Sequence, residues 1–200
     1  MEERRARGRK EFQMFQQGGK LSKWQALLAK CYECMNRYAD GVGDCAMADT
    51  AARTGAGVVL MHMLGEPRTM QKNPVYENLY PEVIAFLEKR IEAATAAGVA
   101  PEKIIVDPGI GFGKTVGHNL ELIRDLPRLR TLGRPILVGP SNKMFVGMVT
   151  GADISDRTPG TGAAVTACVL NGAHILRVHD IAAMRPFVEM GWAVLKGSEY

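Results

Sequence analysis

From residue 46 onward, short apolar runs alternate with longer segments whose apolar positions recur every three or four residues. The runs are GVVLMHM (57–63), KIIVD (103–107), RPILVG (134–139) and AHILRV (173–178). Such runs, bounded by glycine and proline, predict strands buried on both faces. The intervening segments predict helices over 46–53, 81–97, 119–126, 161–171 and 181–190, three of them closed by Gly55, Gly98 and Gly172. Strand followed by helix, four times over, argues for a parallel sheet with helices packed outside it.

Polar residues appear abruptly where each run stops: His62, Asp107, Ser141 with Lys143, and Arg177 with His179. In parallel α/β barrels the carboxy ends of the strands carry the site, so these clusters are expected on one rim.

The first 45 residues have a different texture. They open on the charge run MEERRARGRK, which reads as solvated, and Gly18-Gly19 breaks it. Apolar spacing through Trp24, Leu27, Leu28, Cys31 and Met35 predicts a helix over 21–38, expected to cover an exposed edge or face of the sheet. The chain therefore divides into a basic, helical segment (1–45) and an α/β domain (46–200).

Composition narrows the class. Hydrophobic content of 46% and charged content of 23% suit a globular protein. No apolar run reaches the ~18 residues of a membrane helix, and the charged start lacks a secretory signal, so a cytoplasmic protein is expected. The net charge of +4 suits an anionic small substrate, and basic residues are not interleaved with aromatics as nucleic-acid binding requires. Of the four cysteines, Cys31 and Cys34 form a lone CxxC. With only Cys45 nearby and no second ligand pair, free thiols in a reducing compartment are the simpler reading than zinc.

The densest chemistry lies in Asp107-Pro108-Gly109-Ile110-Gly111-Phe112-Gly113-Lys114-Thr115. Its glycines are one residue too close for a phosphate-binding Walker loop, and it lacks the GxGxxG of dinucleotide sites. A carboxylate at a strand end accepts paired N–H bonds from an aminopyrimidine edge as it does from a guanidinium; a turn-forming or capping Asp is the alternative. Gly139-Pro140-Ser141-Asn142-Lys143 shapes a turn and brings a lysine to the rim. Arg177 and His179, two apart on a strand, face one side as an anion site, with Val178 turned away. Met61 and Met63 are soft apolar surfaces suited to a planar ring or to the core.

Taken in order, VVLMHMLGEPRTMQ, IIVDPGIGFGKTVGHN, ILVGPSNKMFVG, RTPGTGAA and ILRVHD resemble the carboxy-terminal half of dihydropteroate synthase, over roughly residues 46–196. The resemblance implies a (β/α)8 barrel of TIM type, here only about four βα units, strands five to eight. It implies a transferase of folate biosynthesis that condenses 6-hydroxymethyl-7,8-dihydropterin diphosphate with 4-aminobenzoate to 7,8-dihydropteroate and diphosphate, with Mg²⁺ as cofactor. Asp107 and Lys143 would then be the catalytic and pterin-binding residues. Arg177 and His179 would hold the diphosphate. Met63 and Phe112 would line the two pockets, with Gly139 and Ser141 beside them. No metal-binding residues are assigned. A homodimer is expected.

Two departures stand out. The family usually reads Ser-Arg-Lys where this chain has Ser141-Asn142-Lys143; Ser-Asn is similar to the pterin-using methyltransferases that serve a corrinoid. The Asn-x-Thr-Pro-Asp-Ser-Phe segment and the other polar groups of the first four strands are not found here. Residues 1–45 are too short for four βα units of about 30 residues each. The expectation is a truncated synthase of weak or no activity; a non-catalytic pterin-binding fragment and a methyltransferase relative are the alternatives.

Overall fold

A computed structural model describes residues 13–16, 45–65 and 69–197. In chain order these form β1 (Gln13–Gln16), α1 (Cys45–Thr54), β2 (Val58–Met61), α2 (Leu79–Ala96), β3 (Ile104–Asp107), α3 (Val116–Arg124), β4 (Leu137–Val138), α4 (Met144–Thr150), α5 (Thr158–Leu170), β5 (Ile175–Val178) and α6 (Ile181–Lys196). Strand β2 pairs in parallel with β3, and β4 with β5. A parallel bridge between Val106 and Ile136 joins the two pairs. The four strands thus run side by side in chain order, each followed by helix, as the alternation predicts.

The two faces of this sheet follow from the period of two along a strand. Leu60, Ile104, Val106, Ile136, Val138, Leu176 and Val178 point toward the helices and join one large core with Val83, Leu122, Val165 and Val188. On the opposite face Val59, Ile105, Leu137 and Ile175 pack into a separate row, one residue from each strand. Two residues further along come Met61, Asp107, Gly139 and Arg177. The apolar row is therefore the floor beneath the strand-end residues. Strands β3, β4 and β5 are wholly buried, as expected, whereas β2 is half-buried and among the described residues pairs only with β3.

Three features differ from expectation. Strand β1 runs antiparallel to β5, from Gln13 opposite Val178 to Gln16 opposite Ile175. It occupies an edge expected to lie open, supplying partners to backbone groups that a parallel βα array leaves unpaired. Helix α3 starts three residues early because Thr115 caps it: the Thr115 hydroxyl accepts from the His118 amide at 3.2 Å, and His118 Nδ1 accepts from the Thr115 amide at 3.3 Å. Helix α4 has no clean apolar stripe, since Met144, Met148 and Val149 are exposed. It is closed by Gly151 in the left-handed region, φ 72°. The expected helix over 21–38 and the cysteines Cys31 and Cys34 lie outside the described residues. No described helix is long and apolar enough to cross a membrane.

Candidate functional site at the strand ends

Asp107 is the last residue of β3 and has no exposed surface. Its Oδ1 accepts the Gly109 amide at 2.7 Å, the turn-forming role weighed for it. Its Oδ2 lies 2.9 Å from an Arg177 guanidinium nitrogen. That oxygen is buried and receives no well-directed hydrogen bond from the described residues. One Asp107 oxygen therefore shapes the loop, and the other faces the Arg177 guanidinium.

Arg177 reaches Asp107 from β5 across the whole width of β4. The residue it crosses is Gly139, where a Cβ would stand 2.8 Å from the guanidinium nitrogens. Gly139 is a cleared path for a side chain rather than a turn residue alone. Arg177 also approaches the Met61 sulfur at 3.9 Å, so the row Met61, Asp107, Gly139, Arg177 is in contact from end to end.

Lys143, just ahead of α4, comes over the same rim. Its stem lies on Gly111, where a Cβ would meet Cδ at 3.0 Å, and its Nζ sits 4.0 Å from the centroid of the Phe112 ring. Burial, with the charge of Arg177 adding, lowers Lys143 to about 8. It remains a cation at neutral pH, poised near its titration. His179 follows β5, and its Nδ1 lies 2.8 Å from the Ser141 hydroxyl, which is also 3.2 Å from the His179 amide. Met63 is half-buried on the loop after β2.

Sequence reasoning overlooked the residues that hold the glycine loop. Gln71 Nε2 donates to the Gly111 carbonyl at 2.5 Å, and Asn119 Oδ1 accepts the Gly111 amide at 2.7 Å. The Tyr76 hydroxyl donates to the Gly113 carbonyl at 2.8 Å. Lys114 is buried, with Nζ 2.9 Å from His62 Nδ1 and 3.0 Å from the Phe112 carbonyl. Burial, then the neighbouring Lys114, lowers His62 to about 3, so its ring is neutral. Gln71 and Asn119 stand inside the quoted stretches VVLMHMLGEPRTMQ and IIVDPGIGFGKTVGHN, but nothing in their spacing ties them to the loop. Asn142 takes the left-handed conformation, φ 54°, with its amide on the Thr161 hydroxyl at 3.1 Å and its carbonyl accepting from Arg157 at 3.1 Å. A cleft of about 270 Å³ lined by Tyr76, Asn78, Tyr80, His118 and Arg128 includes none of the strand-end cluster.

A parallel α/β sheet thus gathers an anchored carboxylate, two cations and a glycine loop at one rim, the end of such a sheet where sites are usually built. A model of the pterin binding enzyme family matches residues 23–179, and the chain belongs to that family. The matched region takes in part of the segment set apart above. The chain is 44% identical over 135 residues to the dihydropteroate synthase of Haemophilus influenzae, a match covering 68% of this chain and 49% of that protein. The dihydropteroate synthase of Thermus thermophilus, solved with 4-aminobenzoate, superposes with a TM-score of 0.72 and 41% identity, covering 78% of this chain and 61% of that one. The same enzyme solved in complex with 6HMPPP gives 0.72 and 41%, covering 80% and 63%. The fold is thus TIM-barrel-like, and the chain spans about half the length of the curated relatives it matches.

Proposed function

We propose that these 200 residues supply strands five to eight of a dihydropteroate synthase barrel. The activity proposed for the whole protein is condensation of 6-hydroxymethyl-7,8-dihydropterin diphosphate with 4-aminobenzoate. The observation that carries this reading is the buried Asp107 Oδ2, without a directed hydrogen bond, beside the Arg177 guanidinium. A buried acceptor left in this state favours a ligand that brings its own N–H donors, as the aminopyrimidine edge of a pterin does.

In this reading Asp107 takes the pterin edge and Lys143 donates to its ring oxygen and nitrogen. Phe112 and Met63 flank the planar groups, and Ser141 and Gly139 border the aminobenzoate position. Arg177 and His179 neutralise the diphosphate. Its departure breaks the bond from the pterin methylene to oxygen, leaving a cation that the ring delocalises. The arylamine nitrogen then bonds to that carbon and releases a proton. The residues position the partners and stabilise charge, and the step needs no protein nucleophile.

Several finer points belong to the same proposal. Mg²⁺ belongs to the proposal as an ion carried in with the diphosphate, since such an ion is held largely by phosphate oxygens and water, and among the described residues no three His, Cys, Asp or Glu side chains gather. No step is assigned to it. A homodimer is supported by the exposed Met190, Val194 and Leu195 on α6. A cytoplasmic setting accords with Cys168, a free buried thiol. Because the first-half motifs are not among these residues, we propose that they bind pterin and turn over weakly by themselves. The methyltransferase alternative rests on Asn142 alone.

Titration calorimetry with the pterin diphosphate tests the proposal. The chain should bind it, and Asp107→Asn should abolish binding, since an amide offers one acceptor where the carboxylate offers two. Equal binding by both would sink the reading. Methyl transfer from methyltetrahydrofolate to a corrinoid would favour the alternative.

A further inference from the structure

Lys114 stands out among the residues around the glycine loop. It is 2% exposed, and among the described residues it makes no ion pair. A methionine would fill such a position at far lower desolvation cost. Both polar atoms it meets are neutral acceptors on different elements: Nδ1 of His62, just past β2, and the carbonyl of Phe112, in the loop past β3.

The backbone around it allows little slack. Gly109 lies so close to the His62 carbonyl that a Cβ there would stand 1.8 Å from it, and a Cβ at Gly113 would stand 2.5 Å from the Leu64 carbonyl. The loop therefore lies flat on residues 62–64, backbone against backbone. Lys114, at the loop's far end, turns back and ties both layers together. The Phe112 carbonyl it holds belongs to the residue whose ring seats Lys143. His62 is fixed from its other side by the edge of the Phe86 ring, 4.9 Å between centroids.

We propose that Lys114 is a positioning residue for the pterin end of the site: by clasping His62 Nδ1 and the Phe112 carbonyl together, it fixes the loop that presents Phe112 to Lys143 and braces Asp107. It touches no ligand in this arrangement and acts through Phe112. The role assigned to that end of the site rests on the pterin reading above; the clasp itself does not.

The charged and titratable groups facing Lys114 are His62 from the end of β2, Asp107 from β3, Lys143 from the loop before α4, and Tyr76, whose ring centroid is 5.9 Å from Nζ. Burial, with Lys143 adding and Asp107 opposing, brings Lys114 down to about 7. The clasp should therefore change its charge near neutrality without leaving its partners, since an amine donates to the same acceptors.

Nuclear magnetic resonance on the labelled full chain tests this. In Lys114→Met, the Gly111 and Phe112 amides should exchange with solvent roughly tenfold faster, the loss of about one hydrogen bond. The Ile105 and Val106 amides should be unchanged. Equal acceleration everywhere would mean only a destabilised fold, and no acceleration in the loop would mean no clasp; either overturns the proposal. Should the variant not fold, the unaltered chain decides. The Lys114 side-chain carbon and the Gly111 to Gly113 amides should titrate together with a midpoint near 7, and loop amides that stay still through that titration overturn the proposal equally. Calorimetry with the pterin diphosphate on the unaltered chain runs alongside. Absence of binding there would sink the pterin reading while the resonance results still decide the clasp.

Discussion

Arg177 lies 2.9 Å from Asp107 although a full strand separates them, and it can do so because Gly139 on that strand has no side chain. Both partners are buried, Asp107 completely and Arg177 to within 9%. Removing one member strands the other charge in the interior. Arg177→Met should therefore cost about 3–5 kcal/mol, read from urea unfolding. In a double-mutant cycle with Asp107→Asn most of that loss should return, because the amide needs no counter-charge. Simple additivity of the two losses would show that the pair is not coupled.

Gly139→Ala probes the same contact from below. The new methyl would sit 2.8 Å from the guanidinium nitrogens, and a guanidinium at the end of a flexible stem moves more easily than a strand. The expected outcome is a folded protein whose melting temperature falls by a few degrees, about 1 kcal/mol, while pterin binding is lost. Retention of tight binding would show that Arg177 tolerates the displacement.

The buried lysine predicts a pH dependence. An unfolded lysine keeps its proton up to about 10.5, whereas folded Lys114 releases it near 7 and Lys143 near 8. Between those values the unfolded chain binds more protons, so stability should rise as pH increases from 7 toward 10.5. His62 acts in the same direction at lower pH: it stays neutral in the fold down to about 3 but charges near 6.5 when unfolded, so stability falls as pH drops through that window. Urea midpoints taken across pH should show this slope, and Lys114→Met should flatten its upper part. An unchanged slope in that variant would mean that Lys114 is charged in the fold.

Asn142 predicts the cost of restoring the family's usual residue. At φ 54° a left-handed backbone is tolerated by asparagine and strained in arginine, and the Asn142 side chain also meets the Thr161 hydroxyl at 3.3 Å. Asn142→Arg should lose about 1–2 kcal/mol of stability, the scale of left-handed strain. Thermal unfolding measures it, and a stability gain would show that the loop relaxes to accept arginine.

Much of the fold was legible from local pattern. Each buried strand reads as an unbroken apolar run because both of its faces meet hydrocarbon. Each helix that packs one face on the sheet reads as a stripe, as residues 81–97 do. The strand-end polar residues were legible for a related reason: the interior stops abruptly at Asp107, Ser141 and Arg177, and charge tolerated there must be answered by something nearby. Helix α4 escaped notice because its apolar residues are divided between the core (Phe145, Val146) and the outside (Met144, Met148, Val149), so no stripe formed. Strand β1 escaped notice because an edge partner is chosen by open backbone groups, which four residues of sequence do not advertise.

What sequence alone decided, then, was the order of the four parallel strands and the helices with a clear apolar stripe, the parallel α/β class and the identity of the groups brought to one rim. Those depend on burial periodicity and residue chemistry, which are local. Tertiary structure alone decided who answers whom: that Arg177 crosses Gly139 to reach Asp107, that His179 turns to Ser141, and that Lys114 clasps His62. Those pairings are set by strand register and backbone approach between segments up to 70 positions apart, as Asp107 and Arg177 are. No spacing within a single segment encodes them.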